Sequence, residues 1–269
     1  MSSLDQLKIY MNEMWTDYIK MNPAAEKIYN LFAQSGEDLT NDHIALRTFK
    51  HPDLGIQSLA QHFTKYGYED RGEYFFIEKK LYAKHFEHPD KNVPKIFISE
   101  LELEKMSPYV QETIAQCIHQ IKPEAVKNEK FVFSGTHWIP NHATYLKLAQ
   151  ESEYASWVYA YGFRPNHFTV SINHLKHFTD ITRLNDFIKG NGFKLNASGG
   201  EIKGTPQELL EQSSTMAAEV QRQFADGVYS IPGCYYEFAK RYPMTNGNLY
   251  QGFIAKSADR IFESTNKSS

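Results

Sequence analysis

The sequence predicts an α+β protein in which two βαβββ modules form a curved mixed sheet around a metal site. Three observations lead there. First, Asn41-Asp42-His43-Ile44-Ala45-Leu46-Arg47 and Arg164-Pro165-Asn166-His167-Phe168-Thr169-Val170-Ser171-Ile172 are two β-like runs, each led by a His behind a polar residue. Second, each run is followed by a helix-like stretch, further strands and a strand that carries a Glu. Third, the lengths are similar: Glu100 lies 57 residues after His43, and Glu237 lies 70 after His167. Internal repetition decides architecture before any local feature does. The chain is expected to be one domain over 1–269, with modules at about 41–104 and about 165–242. Helical segments at 4–34 and 107–162 and a C-terminal tail at 243–269 complete it.

Element by element, Leu7, Tyr10, Met11, Met14, Trp15 and Tyr18 fall at helical spacing, and Pro23 breaks the 4–34 helix in two. The loop 36–40 delivers the first His strand. A strand shows alternate side chains to one face, so His43, Ala45 and Arg47 share a face, as do His167, Thr169 and Ser171. Ile56, Leu59 and Phe63 mark a helix over 55–66, and 68–87 reads as one or two strands around Gly72. Ile96 to Leu103 is the first Glu strand. Ser107-Pro108 opens a helix with Pro at its first position. The stretch 122–140 carries no clear pattern. A helix over 141–161 ends at Gly162, a suitable C-terminal cap. In the second module, 180–189 reads as helix, 193–197 as strand and 207–214 as helix or coil. Met216 to Phe224 reads as strand, as does Val228 to Arg241, bent near Pro232-Gly233.

Composition narrows the function classes. The chain has 269 residues, a net charge of −3 and 41% hydrophobic residues, enough for a sizeable core and without the electrostatic footprint of a nucleic-acid binder. No apolar run approaches bilayer length, and the first residues lack a signal-like pattern. The two cysteines, Cys117 and Cys234, have no metal or redox spacing and read as buried thiols. A soluble, cytoplasmic protein with neither nucleic-acid nor membrane partners is the expectation. The oligomeric state is left open.

Two His and one carboxylate suit non-haem Fe(II), because three protein ligands leave positions for substrate and O2. His43, His167 and Glu237 are the candidate ligands. Tyr235, Tyr236 and Phe238 around Glu237 suggest burial, and a buried carboxylate needs a partner or a metal. His51, His62, His85, His88, His119, His137, His142, His174 and His177 lack the matched context and read as ordinary surface or core histidines. Glu100, placed like Glu237 in the repeat, is either a solvent-facing strand carboxylate, or a fourth ligand or an acceptor beside the ligands. Arg47 shares the His43 face. Its guanidinium either binds a substrate carboxylate in bidentate fashion or forms a structural ion pair. The segment Gly199 to Pro206 lacks the Gly-Lys-Ser/Thr ending of a phosphate loop, and no Ser-His-Asp arrangement supports a serine hydrolase.

With these residues in view, the chain resembles the 2-oxoadipate dioxygenase/decarboxylase family over about 42–264. The resemblance is carried by His43-Ile44-Ala45-Leu46-Arg47-Thr48-Phe49, Asn166-His167-Phe168-Thr169-Val170 and Tyr235-Tyr236-Glu237-Phe238-Ala239, with 199–215 and 257–262 also similar. It implies a vicinal-oxygen-chelate-like fold, Fe(II) held by His43, His167 and Glu237, and a substrate carboxylate on Arg47. Ser257 would be a further substrate contact. The implied reaction joins 2-oxoadipate and O2 to give 2-hydroxyglutarate and CO2 in lysine catabolism. The substrate supplies its own keto acid, so no external 2-oxoglutarate is needed. The alternatives are another metal enzyme of this fold, such as a glyoxalase-like isomerase or an extradiol dioxygenase, and a non-catalytic module that binds a small acid. Metal content and O2 uptake separate them.

Overall fold

A computed structural model describes residues 2–265; residue 1 and residues 266–269, the end of the expected tail, lie outside the described residues. Helices α1 (Ser3–Met21) and α2 (Pro23–Gln34) come first. A capping box between Ser2 and Asp5 starts α1. Asn22 caps α2, whose first residue is Pro23; the break therefore falls at the proline.

The first module follows as β1 (Asn41–Phe49), α3 (Ile56–Thr64), β2 (Glu69–Phe76), β3 (Leu81–Glu87) and β4 (Lys95–Leu101). Helices α4 (Pro108–Ile118), α5 (Pro123–Lys127), α6 (His142–Glu151) and α7 (Glu153–Tyr161) connect it to the second. The second module is β5 (Pro165–Ser171), α8 (Ile181–Gly190), β6 (Lys203–Thr205), β7 (Leu210–Ser214), then a hairpin of β8 (Glu219–Phe224) and β9 (Gly227–Pro232), then β10 (Tyr235–Arg241). Helix α9 (Ala255–Ile261) lies in the tail.

One curled eight-stranded sheet runs β2-β3-β4-β1-β5-β10-β7-β6. Each module contributes four strands in the same outward order. The modules meet where β1 pairs antiparallel with β5, bringing Ala45 opposite His167 and His43 opposite Thr169. β4 runs parallel to β1, and β10 parallel to β5.

One face of the sheet builds the core against the first helices. Phe168 packs on Trp15 and Tyr18 at ring separations of 5.2 and 4.9 Å, and Phe238 meets Phe32 at 6.3 Å. Each such fully buried side chain stabilises the fold by roughly 1.5–3 kcal/mol. The other face carries the His side chains, and α9 crosses it, touching β2 at one edge and β6 and β7 at the other.

Several expected elements take a different form. Of the 207–214 stretch, the start is helical, within the 3-10 turn Pro206–Glu208, but Leu210–Ser214 is strand β7, because β10 offers it an antiparallel partner, Glu237 opposite Ser214. The bent strand expected over 228–241 is two strands in two sheets, β9 with β8 and β10 in the main sheet. They part at Gly233, where a Cβ would stand 2.7 Å from the Met21 carbonyl oxygen. The 141–161 helix is two helices, with Ser152 ending α6 and capping α7. Residues 193–197 form only an isolated bridge, Leu195 with Thr215. Gly162 ends α7 as expected with φ at 69°, packed so close to Gly135 that no side chain fits.

Candidate metal centre

The strand registers decide which side chains meet. His43 and Arg47 of β1, His167 and Thr169 of β5, and Tyr235 and Glu237 of β10 share the face under α9, since β5 aligns His167 with Tyr235 and Thr169 with Glu237. The donor atoms of His43, His167 and Glu237 lie within 4.8 Å of one another, and all three residues are buried. His43 Nε2 is 3.6 Å from Glu237 Oε1, and His167 Nε2 is 3.2 Å from Oε2. Ligands at about 2.1 Å from one ion stand roughly 3 Å apart, so the triad needs little adjustment to hold a metal.

Each imidazole is oriented by the residue before it. His43 Nδ1 donates to Asp42 Oδ1 at 2.8 Å, and His167 Nδ1 to Asn166 Oδ1 at 3.0 Å. Both arrangements turn Nε2 toward the centre, as a ligand requires. Arg241 grips Asp42 with two bonds, of 2.6 and 2.8 Å. The same guanidinium donates to the carbonyls of Tyr250 and Gly252, which fixes the loop that sets Phe253 edge-on against His43 at 4.8 Å.

The electrostatics point to a cation. Burial pushes the Glu237 carboxyl up to about 8, although Gln212 donates to it at 2.5 Å. Burial lowers both imidazoles; the neighbouring His43 and Arg47 add to the effect at His167, while Asp42 opposes it at His43. Two neutral imidazoles and one carboxyl that lacks a counter-charge form a donor set that a divalent ion completes. Among the described residues, Glu237 Oε2 and Gln212 Oε1 are buried here without a hydrogen-bond partner, and Tyr235 Oη has only the Arg47 guanidinium beside it, whose Nε is likewise unpartnered. Unpartnered buried polar atoms are costly, and their convergence marks a place built for something else to bind.

The cavity at the triad is about 20 Å3 and is lined by Phe97, Gln212, Tyr235, Phe253, Ala258, Ile261 and Phe262 besides the triad. That is room for a water or an ion. Clefts of about 470, 420 and 410 Å3 open elsewhere, and none touches the triad.

The other expected site residues take varied places. Arg47 lies on the His43 face, buried, with Glu153 Oε1 at 2.9 Å and its guanidinium over the Tyr154, Trp157 and Phe262 rings at 4.9 to 5.5 Å. It does not line the cavity. Ser257 is buried on α9, next to the cavity-lining Ala258. Glu100 is a correction: it belongs to neither the metal ligands nor their neighbours. It pairs in register with Thr48, so it points to the opposite face from His43, where it accepts from the Ile56 amide at 2.9 Å and closes the start of α3. Sequence reasoning missed Thr169, whose hydroxyl is 3.1 Å from His43 Nε2, together with Gln212 and Tyr235. Strand alternation from His167 and Glu237 points to Thr169 and Tyr235. No sequence signal marks Gln212, whose strand was not recognisable.

Comparisons with known proteins identify the family. The sequence pattern of the 2-oxoadipate dioxygenase/decarboxylase family matches residues 6–249. A protein of Oryza sativa subsp. japonica named 2-oxoadipate dioxygenase/decarboxylase, chloroplastic/amyloplastic, is 37% identical over 277 residues, covering 92% of this chain and 75% of its own length. The crystal structure of the Oryza sativa hydroxyglutarate synthase in complex with 2-oxoadipate superposes with a TM-score of 0.91 at 35% identity, over 98% of this chain and 93% of that one. A Shewanella frigidimarina structure described only as a hydrolase candidate is 54% identical with a TM-score of 0.89, over 92% of this chain and 97% of that one. Relatives that bear the names of oxidoreductases, a matching family pattern and a converging His-His-Glu triad lead to one statement: this chain belongs to the 2-oxoadipate dioxygenase/decarboxylase family.

Proposed function

We propose that this protein is an Fe(II)-dependent dioxygenase/decarboxylase that converts 2-oxoadipate and O2 to 2-hydroxyglutarate and CO2, a step of lysine catabolism. The observation that carries the reading is the buried triad of His43, His167 and Glu237 at an internal cavity, in a chain whose rice relative was crystallised with 2-oxoadipate. The atoms balance: both oxygen atoms of O2 enter the products, and the C1 carboxylate leaves as CO2.

His43, His167 and Glu237 would hold the metal. When bound, Fe(II) supplies a site where a 2-oxo acid chelates and O2 is activated. The remaining tasks fall to the protein. Asp42 and Asn166 keep the imidazole tautomers fixed. Phe97, Phe253 and Phe262 exclude water. Arg47 binds the far carboxylate, using the Nε–H that Glu153 leaves free, and Ser257 contributes from α9.

The test is anaerobic purification, Fe(II) addition and an O2-electrode assay over a panel of 2-oxo acids, with product analysis. Stoichiometric O2 uptake and CO2 release with 2-oxoadipate are expected. Turnover without O2 uptake would replace this reading with an isomerase.

A further inference from the structure

We propose that Tyr235 selects 2-oxo dicarboxylic acids, its hydroxyl donating to the far carboxylate beside Arg47. The inference rests on the functional reading above and adds a residue to it. Tyr235 sits on β10 two residues before Glu237, on the same face, and is fully buried. Its ring lies against the His167 imidazole at 4.6 Å with the planes 26° apart. The ring is therefore held by packing and by strand register.

The hydroxyl distinguishes this tyrosine from the others in the core. Tyr10, Tyr18, Tyr68 and Tyr154 each donate to a backbone carbonyl. Tyr235 Oη is buried and donates to no acceptor among the described residues; the side chain beside it is the Arg47 guanidinium, itself only a donor. Arg47 is the neighbouring charge that acts on it most strongly, and Arg47 Nε is unpartnered as well. An uncharged phenol carries one O–H to donate. Tyr235 lines the cavity and Arg47 stands behind it; a cationic N–H beside a neutral O–H matches the two oxygens of a carboxylate. A site whose buried polar groups need a partner rejects ligands that lack one.

The variant is Tyr235→Phe, which keeps the ring and removes one oxygen. Binding is measured by anaerobic titration of the Fe(II)-loaded protein with 2-oxoadipate and with 2-oxohexanoate, the analogue of equal length without the far carboxylate. Metal content and Tm are measured alongside. The expected result is about 10- to 100-fold weaker binding of 2-oxoadipate, 2-oxohexanoate within about threefold of its wild-type value, and unchanged iron content. Equal losses for both acids, or no loss for 2-oxoadipate, would overturn the assignment while leaving the functional reading intact. If the wild-type protein binds neither acid, both readings fall together.

Discussion

The two modules share one topology but contribute differently to the site. In the first, β1–β4 register sets His43 opposite Lys95 and Ala45 opposite Phe97. In the second, β5–β10 register sets His167 opposite Tyr235 and Thr169 opposite Glu237. The place that holds a carboxylate in the second module therefore holds Phe97 in the first. A second carboxylate there would fill one of the open metal positions and bury another charge; Phe97 keeps the space dry and packs on Phe253 at 4.9 Å. The pattern repeats around the imidazoles. A charged Asp42 stands behind His43 and a neutral Asn166 behind His167. Four residues after each His come Arg47 in one module and Ser171 in the other. The shared topology supplies the frame, and the departures from symmetry distinguish the site residues.

The largest effect is expected where the modules agree. His43→Ala and His167→Ala should each abolish stoichiometric Fe(II) binding, read by metal analysis, while Phe97→Leu retains it. Full iron content in both His variants would sink the triad.

Next comes the Arg47 and Ser171 pair. Arg47→Ala should cost about 2–4 kcal/mol in kcat/KM for 2-oxoadipate, roughly 30- to 1000-fold, with Arg47→Lys recovering little. Ser171→Ala should change it by less than about threefold. If Arg47→Ala instead lowers Tm in proportion to activity, its bond to Glu153 is its whole role.

The Asp42 and Asn166 contrast should follow. Asp42→Asn makes the modules alike but leaves Arg241 buried without its anion, which should destabilise the protein by about 3–5 kcal/mol and weaken metal binding about 10- to 100-fold. Burial alone would raise the Asp42 carboxyl, yet Arg241, Lys95 and the His43 bond hold it well below its usual value. Its stabilisation is therefore present above the unfolded carboxylate range and is lost as pH falls through the folded value. Urea titrations should show the wild-type advantage over Asp42→Asn at neutral pH shrinking toward acid; an advantage independent of pH would remove the ion-pair explanation.

The smallest effect concerns the outer strands of the first module. His85, and then Lys91, hold the Glu87 carboxyl down at about 2. Folded below unfolded means stabilisation above about 4.5 that disappears toward about 2. Glu87→Gln should cost about 1 kcal/mol at pH 7 and nothing near pH 2, measured by the same titrations. An equal cost at both pH values would argue against the charge effect.

What the sequence made legible follows from what is local. Strand alternation put His43 with Arg47 and His167 with Thr169, and a Glu among aromatics indicated burial. Pro23 and Ser107-Pro108 marked helix starts because their effects act within one turn. Register is different. Matching Glu100 to Glu237 by order along the chain misses the true counterpart, Phe97, by three residues, and an odd shift turns a side chain to the other face of the sheet. Gln212 was hidden because Leu210–Ser214 has little intrinsic strand preference and becomes a strand only by pairing with β10. The grip of Arg241 on Asp42 spans 199 residues, and no window of sequence contains it.

That long reach bears on how the molecule folds. The contact between Thr169 and His43 closes 126 residues, and that of Arg47 with Thr265 closes 218. Loops of this size must close before their contacts repay the lost chain entropy, so the ion's binding place forms only after most of the sheet has assembled. A metal bound there would act as a lock on the finished protein and not as a nucleus for folding. Refolding rates should be the same with Fe(II) and with chelator under anaerobic conditions, while Fe(II) slows unfolding. A faster refolding arm with metal would mean that the triad gathers before the sheet does.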